Sequence, residues 1–273
     1  MSGQKRSRAT ASTTSATVVA LLLLSVSSAH IAGRASAADA EPTTRTSLGH
    51  PASARLPEAN LDVAARLSDK GERYADQYAY AAAEPLLRRA LAIVESSLGR
   101  TDARLVPSLI NLADLYVDEG KYAQAEPLYR RSLAILEARV GPEDPRLLPP
   151  LTALARLYWE WGQLDRAEPF YRRLLALFEE ILGPDDLHVA FFLANLADLY
   201  VAERKYADAE PAYQRSIALF EQTAGPGSTV VAMFLGQYAH LLLELNRSEE
   251  AAALMSRVKV IYEKTRGRRP GAK

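Results

Sequence analysis

From residue 61 onward the apolar positions recur at helical spacing. Leu105, Leu109, Leu112 and Tyr116 step by 4, 3 and 4, which places them on one face of a helix. Glu119-Gly120-Lys121 then reads as a turn. Tyr122, Ala125, Tyr129, Ser132 and Leu136 step by 3, 4, 3 and 4 along a second helix. Small Ala125 and Ser132 allow a close helix approach, and Tyr129 fills the space between the two helices. Gly141-Pro142-Glu143-Asp144 closes the pair: Gly141 suits a left-handed cap, Pro142 blocks continuation, and Asp144 can cap the next helix. Gly183-Pro184-Asp185-Asp186 repeats this punctuation, Gly225-Pro226-Gly227-Ser228 varies it, and Gly99-Arg100-Thr101-Asp102 keeps its ends.

The helix pair itself is repeated. AEPLLRRALAIV, AEPLYRRSLAIL, AEPFYRRLLALF and AEPAYQRSIALF follow one another, with Glu84, Glu126, Glu168 and Glu210 at steps of 42. Tyr74, Tyr116, Tyr158 and Tyr200 keep the same step, as do Leu115, Leu157, Leu199 and Leu241. A fixed period of this size predicts a solenoid whose units bury their apolar faces only against neighbours. The expected fold is an all-α solenoid of about five antiparallel helix-turn-helix units over residues 61–266. The prolines of the repeated phrase fit a helix start. Pro127 lies about one turn into its helix, where N–H groups lack helical partners. Glu126 can pair with Arg130 four residues on, and Glu84–Arg88 and Glu168–Arg172 repeat that pairing, a mainly structural role. Pro149-Pro150, where the third unit's first helix should begin, predicts a late or kinked start.

NLADLYVDEGKYAQAEPLYRRSLAIL and NLADLYVAERKYADAEPAYQRSIALF resemble tetratricopeptide repeats of the 42-residue kinesin light chain type. The matching residues are Leu112-Ala113 and Leu196-Ala197, Tyr116, Gly120, Ala125, Tyr129 and Ser132. The end units depart from the pattern: Tyr78 replaces the turn glycine in the first, and Ala251-Ala252-Ala253 replaces Ala-Glu-Pro in the fifth. Terminal units of a solenoid are expected to be atypical. The resemblance implies a right-handed superhelix whose inner groove, lined by each unit's first helix, holds an extended peptide or protein segment.

Opposite the apolar face of the second unit lie Pro107, Ile110, Asn111, Asp114 and Asp118, and steps of 42 give the other sets. The groove residues expected to bind are Asp69, Glu72, Asn111, Asp114, Asp118, Thr152, Arg156, Glu160, Phe191, Asn195, Asp198, Met233, Gln237 and His240. Asn111 and Asn195 match the asparagine that bonds the ligand backbone in peptide-binding relatives, and Gln237 is a longer amide there. Asp69, Glu72, Asp76, Asp114, Asp118, Glu160, Asp198 and Glu244 make the column acidic, which favours a basic or neutral segment. Phe191, Met233 and Trp159 offer apolar pockets. The bland alternative is a solvated helix face. Arg88-Arg89, Arg130-Arg131, Arg172-Arg173, Arg215 and Arg257 on the second helices would make the convex side more basic. That serves solubility first, with contact to anionic lipid or cell-wall polymer as the alternative.

Composition narrows the function class. Lys plus Arg and Asp plus Glu number 33 each, which gives no basic stripe for nucleic acid. No cysteine is present, so disulfides and thiolate metal sites are excluded. The four histidines show no metal-ligand spacing, and no HExxH, Gly-rich phosphate loop or GxSxG elbow occurs. Neither a cofactor, a metal nor a small-molecule substrate is expected, and no catalytic residue is identified.

At the N-terminus Lys5, Arg6 and Arg8 precede the apolar block Val18–Leu24 and then small residues, the layout of a secretory signal peptide over residues 1–37. Cleavage after Ala29 or after Ala37 fits equally. A disordered Ala/Ser-rich tail and an uncleaved membrane anchor are the alternatives. The apolar block is shorter than the roughly 20 residues that span a bilayer. Removing residues 1–37 leaves 29 basic against 33 acidic residues. Residues 38–60 read as a flexible linker and 267–273 as a basic tail. The expected protein is a non-enzymatic, exported scaffold, periplasmic or extracellular, that binds a protein or peptide. A structural spacer or self-assembling envelope module, and a cytoplasmic adaptor, are the competing readings.

Overall fold

The computed structural model describes residues 52–267. The expected signal segment, residues 38–51 of the expected linker, and residues 268–273 of the tail lie outside the described residues. Within them ten α-helices follow one another: α1 (Ala52–Asp76), α2 (Tyr80–Leu98), α3 (Val106–Asp118), α4 (Tyr122–Glu137), α5 (Leu148–Glu160), α6 (Leu164–Leu182), α7 (Leu187–Ala202), α8 (Tyr206–Ala224), α9 (Thr229–Glu244) and α10 (Ser248–Gly267). Each odd-numbered helix packs on the even one that follows, and each pair packs on the next pair. This is the expected α-solenoid of five units. First helices of consecutive units also touch, α1 with α3, α3 with α5 and α7 with α9, while second helices approach one another less. The stack therefore curves with its first helices on the inner side. Helix α1 reaches back to Ala52, into the stretch expected as linker. Ala52, Ala54 and Ala59 are strong helix formers, and local propensity outweighs the linker-like composition there.

The turn inside each pair is the most regular feature. Tyr78, Gly120, Gly162, Arg204 and Asn246, each 42 residues from the next, adopt φ of 58°, 70°, 74°, 60° and 60°. The following N–H then bonds back across the helix end: Ala79 to the Tyr74 carbonyl, Lys121 to Tyr116, Gln163 to Tyr158, Lys205 to Tyr200 and Arg247 to Leu242, at 2.7–2.9 Å. These bonds satisfy carbonyls the helix leaves open.

Between pairs, Gly99, Gly183 and Gly225 take positive φ as expected. Gly141 does not: α4 ends early, at Glu137, and closes through Arg139 N–H to the Leu136 carbonyl at 2.8 Å. The capping side chains behave as read. Asp102, Asp144 and Asp186 accept from the N–H two residues on at 2.8–2.9 Å, and Ser228 does so at 3.3 Å.

Pro149 and Pro150 do not kink α5. They occupy its first turn, and a short 3-10 turn, Pro145–Leu147, precedes it. Pro107 does the same after Ala103–Leu105. Neither Pro107 nor Pro149 has an N–H to donate four residues back, so the entry tightens to 3-10. Phe191 and Met233 hold the equivalent positions in α7 and α9, which start directly as α-helix.

Pro85, Pro127, Pro169 and Pro211 stand beyond the first turn, as the sixth residue of their helices. All four rings are exposed. Water can therefore reach the carbonyl each proline leaves unbonded. Ala125 and Ser132 are fully buried, as close helix approach requires.

Candidate binding groove

The glutamate of the repeated phrase ties one unit to the next. Glu84 accepts from Arg88 Nε at 2.8 Å and from the Tyr116 hydroxyl of the following unit at 2.9 Å. Glu126 accepts from Arg130 Nε at 2.8 Å and the Tyr158 hydroxyl at 2.7 Å. In the fifth unit Leu242 has no hydroxyl, and Tyr238, one turn earlier, donates to Glu210 at 2.7 Å instead. Arg88, Arg130 and Arg172 each lie 5.8 Å over the ring of Tyr116, Tyr158 and Tyr200. A cation from the following unit joins each glutamate: Lys121 at Glu84, Lys205 at Glu168 at 2.5 Å, Arg247 at Glu210 at 2.8 Å. Gln163 interrupts this series, and Arg166 reaches Glu126 in its place. The Tyr116 and Tyr238 hydroxyls are the largest influence holding the Glu84 and Glu210 carboxyls below their ordinary value. In Glu126 and Glu168 burial opposes most strongly, and the gathered donors overcome it.

An outer ladder runs in parallel. Arg131 pairs with Glu95 of the preceding unit at 3.1 Å, Arg173 with Glu137, Arg215 with Glu179 at 2.7 Å and Arg257 with Glu221 at 2.5 Å. The sequence predicts a more basic convex side. These arginines are instead neutralised where units meet.

With the first helices held in register, none of the residues expected in the groove is fully buried. Asp69, Glu72, Asp118, Glu160 and His240 are exposed; Asn111, Asp114, Thr152, Arg156, Phe191, Asn195, Asp198, Met233 and Gln237 are partly so. Several meet across units. The Asn111 amide donates to Glu72, Arg156 donates to Asp114, and Gln237 Nε2 donates to Asp198 at 3.2 Å. Phe191 sits edge-on to Phe220 with centroids 4.7 Å apart, and Trp159 edge-on to Tyr171 at 6.2 Å. Both rings therefore pack into the solenoid and offer an edge, not an open pocket.

The carboxylates crowd one another. Burial first, then Asp69 and Asp76, pushes the Glu72 carboxyl up, against the opposing Asn111 bond. Burial also raises Asp118 and Glu160; Arg156 opposes in both, while Asp114 adds to the rise in each. Charges from α1, α3 and α5 thus act on a common surface.

Sequence reasoning assigns Tyr129 to space filling and misses its hydroxyl, which donates to Asp114 at 2.5 Å. Tyr213 donates to Asp198 in the same way. Both pairs are 15 residues apart, so a fixed Asp-to-Tyr offset is the signal that could have found them. Among the described residues no group of three or more His, Asp or Glu side chains is placed to hold a metal ion. Among them, too, no helix is long and apolar enough to cross a membrane.

Comparison with solved structures gives the fold's relatives. A Podosopora anserina kinesin light chain-type protein with nearly identical tetratricopeptide-like repeats is 21% identical, with 76% of this chain and 97% of that one covered at a TM-score of 0.67. BtubC (BKLC) from P. vanneervenii is 20% identical, with 80% and 95% covered at 0.62. Aspartyl phosphate phosphatase F from Bacillus subtilis is 16% identical, with 78% and 54% covered at 0.60. A search of curated proteins finds no match. The tetratricopeptide repeat family model matches residues 62–138, 107–180, 147–222 and 188–264, windows that follow the helix pairs through the whole solenoid. The five stacked pairs, their 42-residue register and this match together place the chain in the tetratricopeptide repeat family, whose members are generally protein-interaction scaffolds.

Proposed function

We propose that the inner face of the solenoid binds an extended, basic or neutral segment of a partner protein. One observation carries the reading. Glu72 on α1, Asp118 on α3 and Glu160 on α5 stand exposed on one inner face, and partial desolvation by the helix surface together with the neighbouring carboxylates pushes all three carboxyls up. A cationic ligand would relieve that repulsion, and the negative field would steer it in. Exposed Asp69 and His240 would extend the face toward its ends, with Asn195 supplying an amide for a ligand backbone. Arg156 already offsets Asp114, so the negative charge of the first units rests on Asp69, Glu72, Asp76 and Asp118. The N-terminal sequence, basic then apolar then small, supports an exported scaffold, with periplasmic or extracellular residence.

A crosslinked pull-down from envelope extract tests the reading, with the native chain beside a variant carrying Asp118→Asn, Glu160→Gln and Asn195→Ala. Asp114 and Asp198 are left intact because they hold Tyr129 and Tyr213. A partner captured by the native chain and lost with the variant supports the groove. Equal capture by both, with circular dichroism showing both folded, removes it. Fractionation with N-terminal sequencing of the recovered protein tests export separately.

A further inference from the structure

Every inner junction of the solenoid is built from the same positions, so the two ends can be compared with a finished joint. At the C-terminal end Met255 and Tyr262 on α10 are 49% and 45% exposed. Their equivalents one unit earlier, Tyr213 and Phe220, are 2% and 0% exposed because the next unit covers them. At the N-terminal end Val63 is 46% exposed, while Leu105, Leu147, Val189 and Val231 at its position are wholly buried. The two ends therefore expose the two halves of what is a single covered joint inside the solenoid.

The charges say the same. The outer ladder joins Glu95 to Arg131, Glu137 to Arg173, Glu179 to Arg215 and Glu221 to Arg257. Continued by one period in each direction, it reaches Glu263 at one end, where exposed Lys259 of its own helix holds it loosely at 3.9 Å, and Arg89 at the other. In the inner joints Phe178 stacks on Phe192, and Phe220 on Phe234, with centroids 4.7 Å apart. The matching end positions are Tyr262 and Arg66, a phenol ring and a guanidinium, which attract through the ring face. The inter-unit glutamate tie loses both its carboxylate and its following-unit cation at the ends, where these positions are Ala252 and Ala79. A joint between copies would thus bury no stranded carboxylate there. Lys70 and Lys259 stand where inner units carry leucine or isoleucine, such as Leu112 and Ile217. They weaken a joint between copies relative to an inner one.

We propose that this chain associates head to tail, α10 of one copy docking against α1 and α2 of the next through Tyr262–Arg66 and Glu263–Arg89. The contact is heterologous, so the assembly grows as a chain of solenoids and does not stop at a dimer. It does not depend on the groove having a ligand.

Sedimentation velocity of the full chain over a concentration series reads the effect directly. Mass rising with concentration is expected. Arg89→Glu and Glu263→Arg should each weaken association roughly tenfold, since an attraction becomes a repulsion. The double variant should recover it, and so should an equal mixture of the two single variants, because each then meets its complement. Recovery on mixing also shows that both variants remain folded. A chain that stays monomeric throughout overturns the proposal. Association unchanged by either reversal, or not restored by mixing, overturns the head-to-tail joint in favour of like ends pairing or another surface.

Discussion

Arg204 holds a left-handed turn at φ 60° that Gly120 and Gly162 hold in sister units. A side chain there costs roughly 1–2 kcal/mol, while glycine gives back part of that through its freer unfolded state. Arg204→Gly should therefore stabilise the protein by about 0.5–1 kcal/mol in urea unfolding, and Gly120→Ala should destabilise it. An unchanged midpoint for both would mean the turn is relaxed by other means. Tyr129 offers a second test at this scale. Burial pushes its hydroxyl well above the ordinary tyrosine range, so it remains a proton donor to Asp114 at any working pH. Tyr129→Phe should cost about 1 kcal/mol. Tyr122→Phe should cost less, since Tyr122 stacks on Trp161 at 6.1 Å and its ring survives the change. Equal losses would show that the Asp114 bond contributes nothing.

Between elements the repeated glutamate matters most. Glu126 gathers donors from its own helix, the next unit's first helix and that unit's second helix, through Arg130, Tyr158 and Arg166. Removing it strands a partly buried hydroxyl and two cations, so Glu126→Ala should cost about 1.5–3 kcal/mol. Protonation does the same by acid. Glu84, Glu126, Glu168 and Glu210 have folded values below their ordinary 4.5. The stability they contribute is present above that value and is lost as pH falls through the lowered one. A stability–pH curve without a fall on the acid side would contradict the tie. Helix pairs, turns and caps are legible in the sequence because each rests on local chemistry repeated at a fixed step. What escapes is relational. Nothing local in Gly141-Pro142 says that α4 stops at Glu137, and Arg131 looks like a solvent residue until Glu95 is brought against it from the preceding unit.

On the scale of the whole solenoid, the acidic inner column can be read from the sequence, because a helix wheel and a period fix which residues share a face. The sequence does not show that Asp114 and Asp198 are already engaged by Tyr129 and Tyr213, since that pairing depends on how the second helix leans on the first. The distinction separates two sets of carboxylates by pH. Glu72 and Glu160 have folded values above their ordinary 4.5, so they begin to take up protons before the inter-unit glutamates do. Their protonation relieves repulsion in the fold as pH falls, yet it removes the charge that would hold a cationic ligand. A labelled lysine-rich decapeptide should therefore lose affinity at a higher pH than the one at which the stack melts, with circular dichroism of the same samples still reporting intact helices. The fold should fail only at lower pH, where Glu84 and Glu126 are titrated. Added salt should weaken the same peptide at neutral pH, because a partly exposed site is screened. If binding and helicity instead fall together, the inner face has no separate role in recognition and the peptide senses only whether the solenoid is folded.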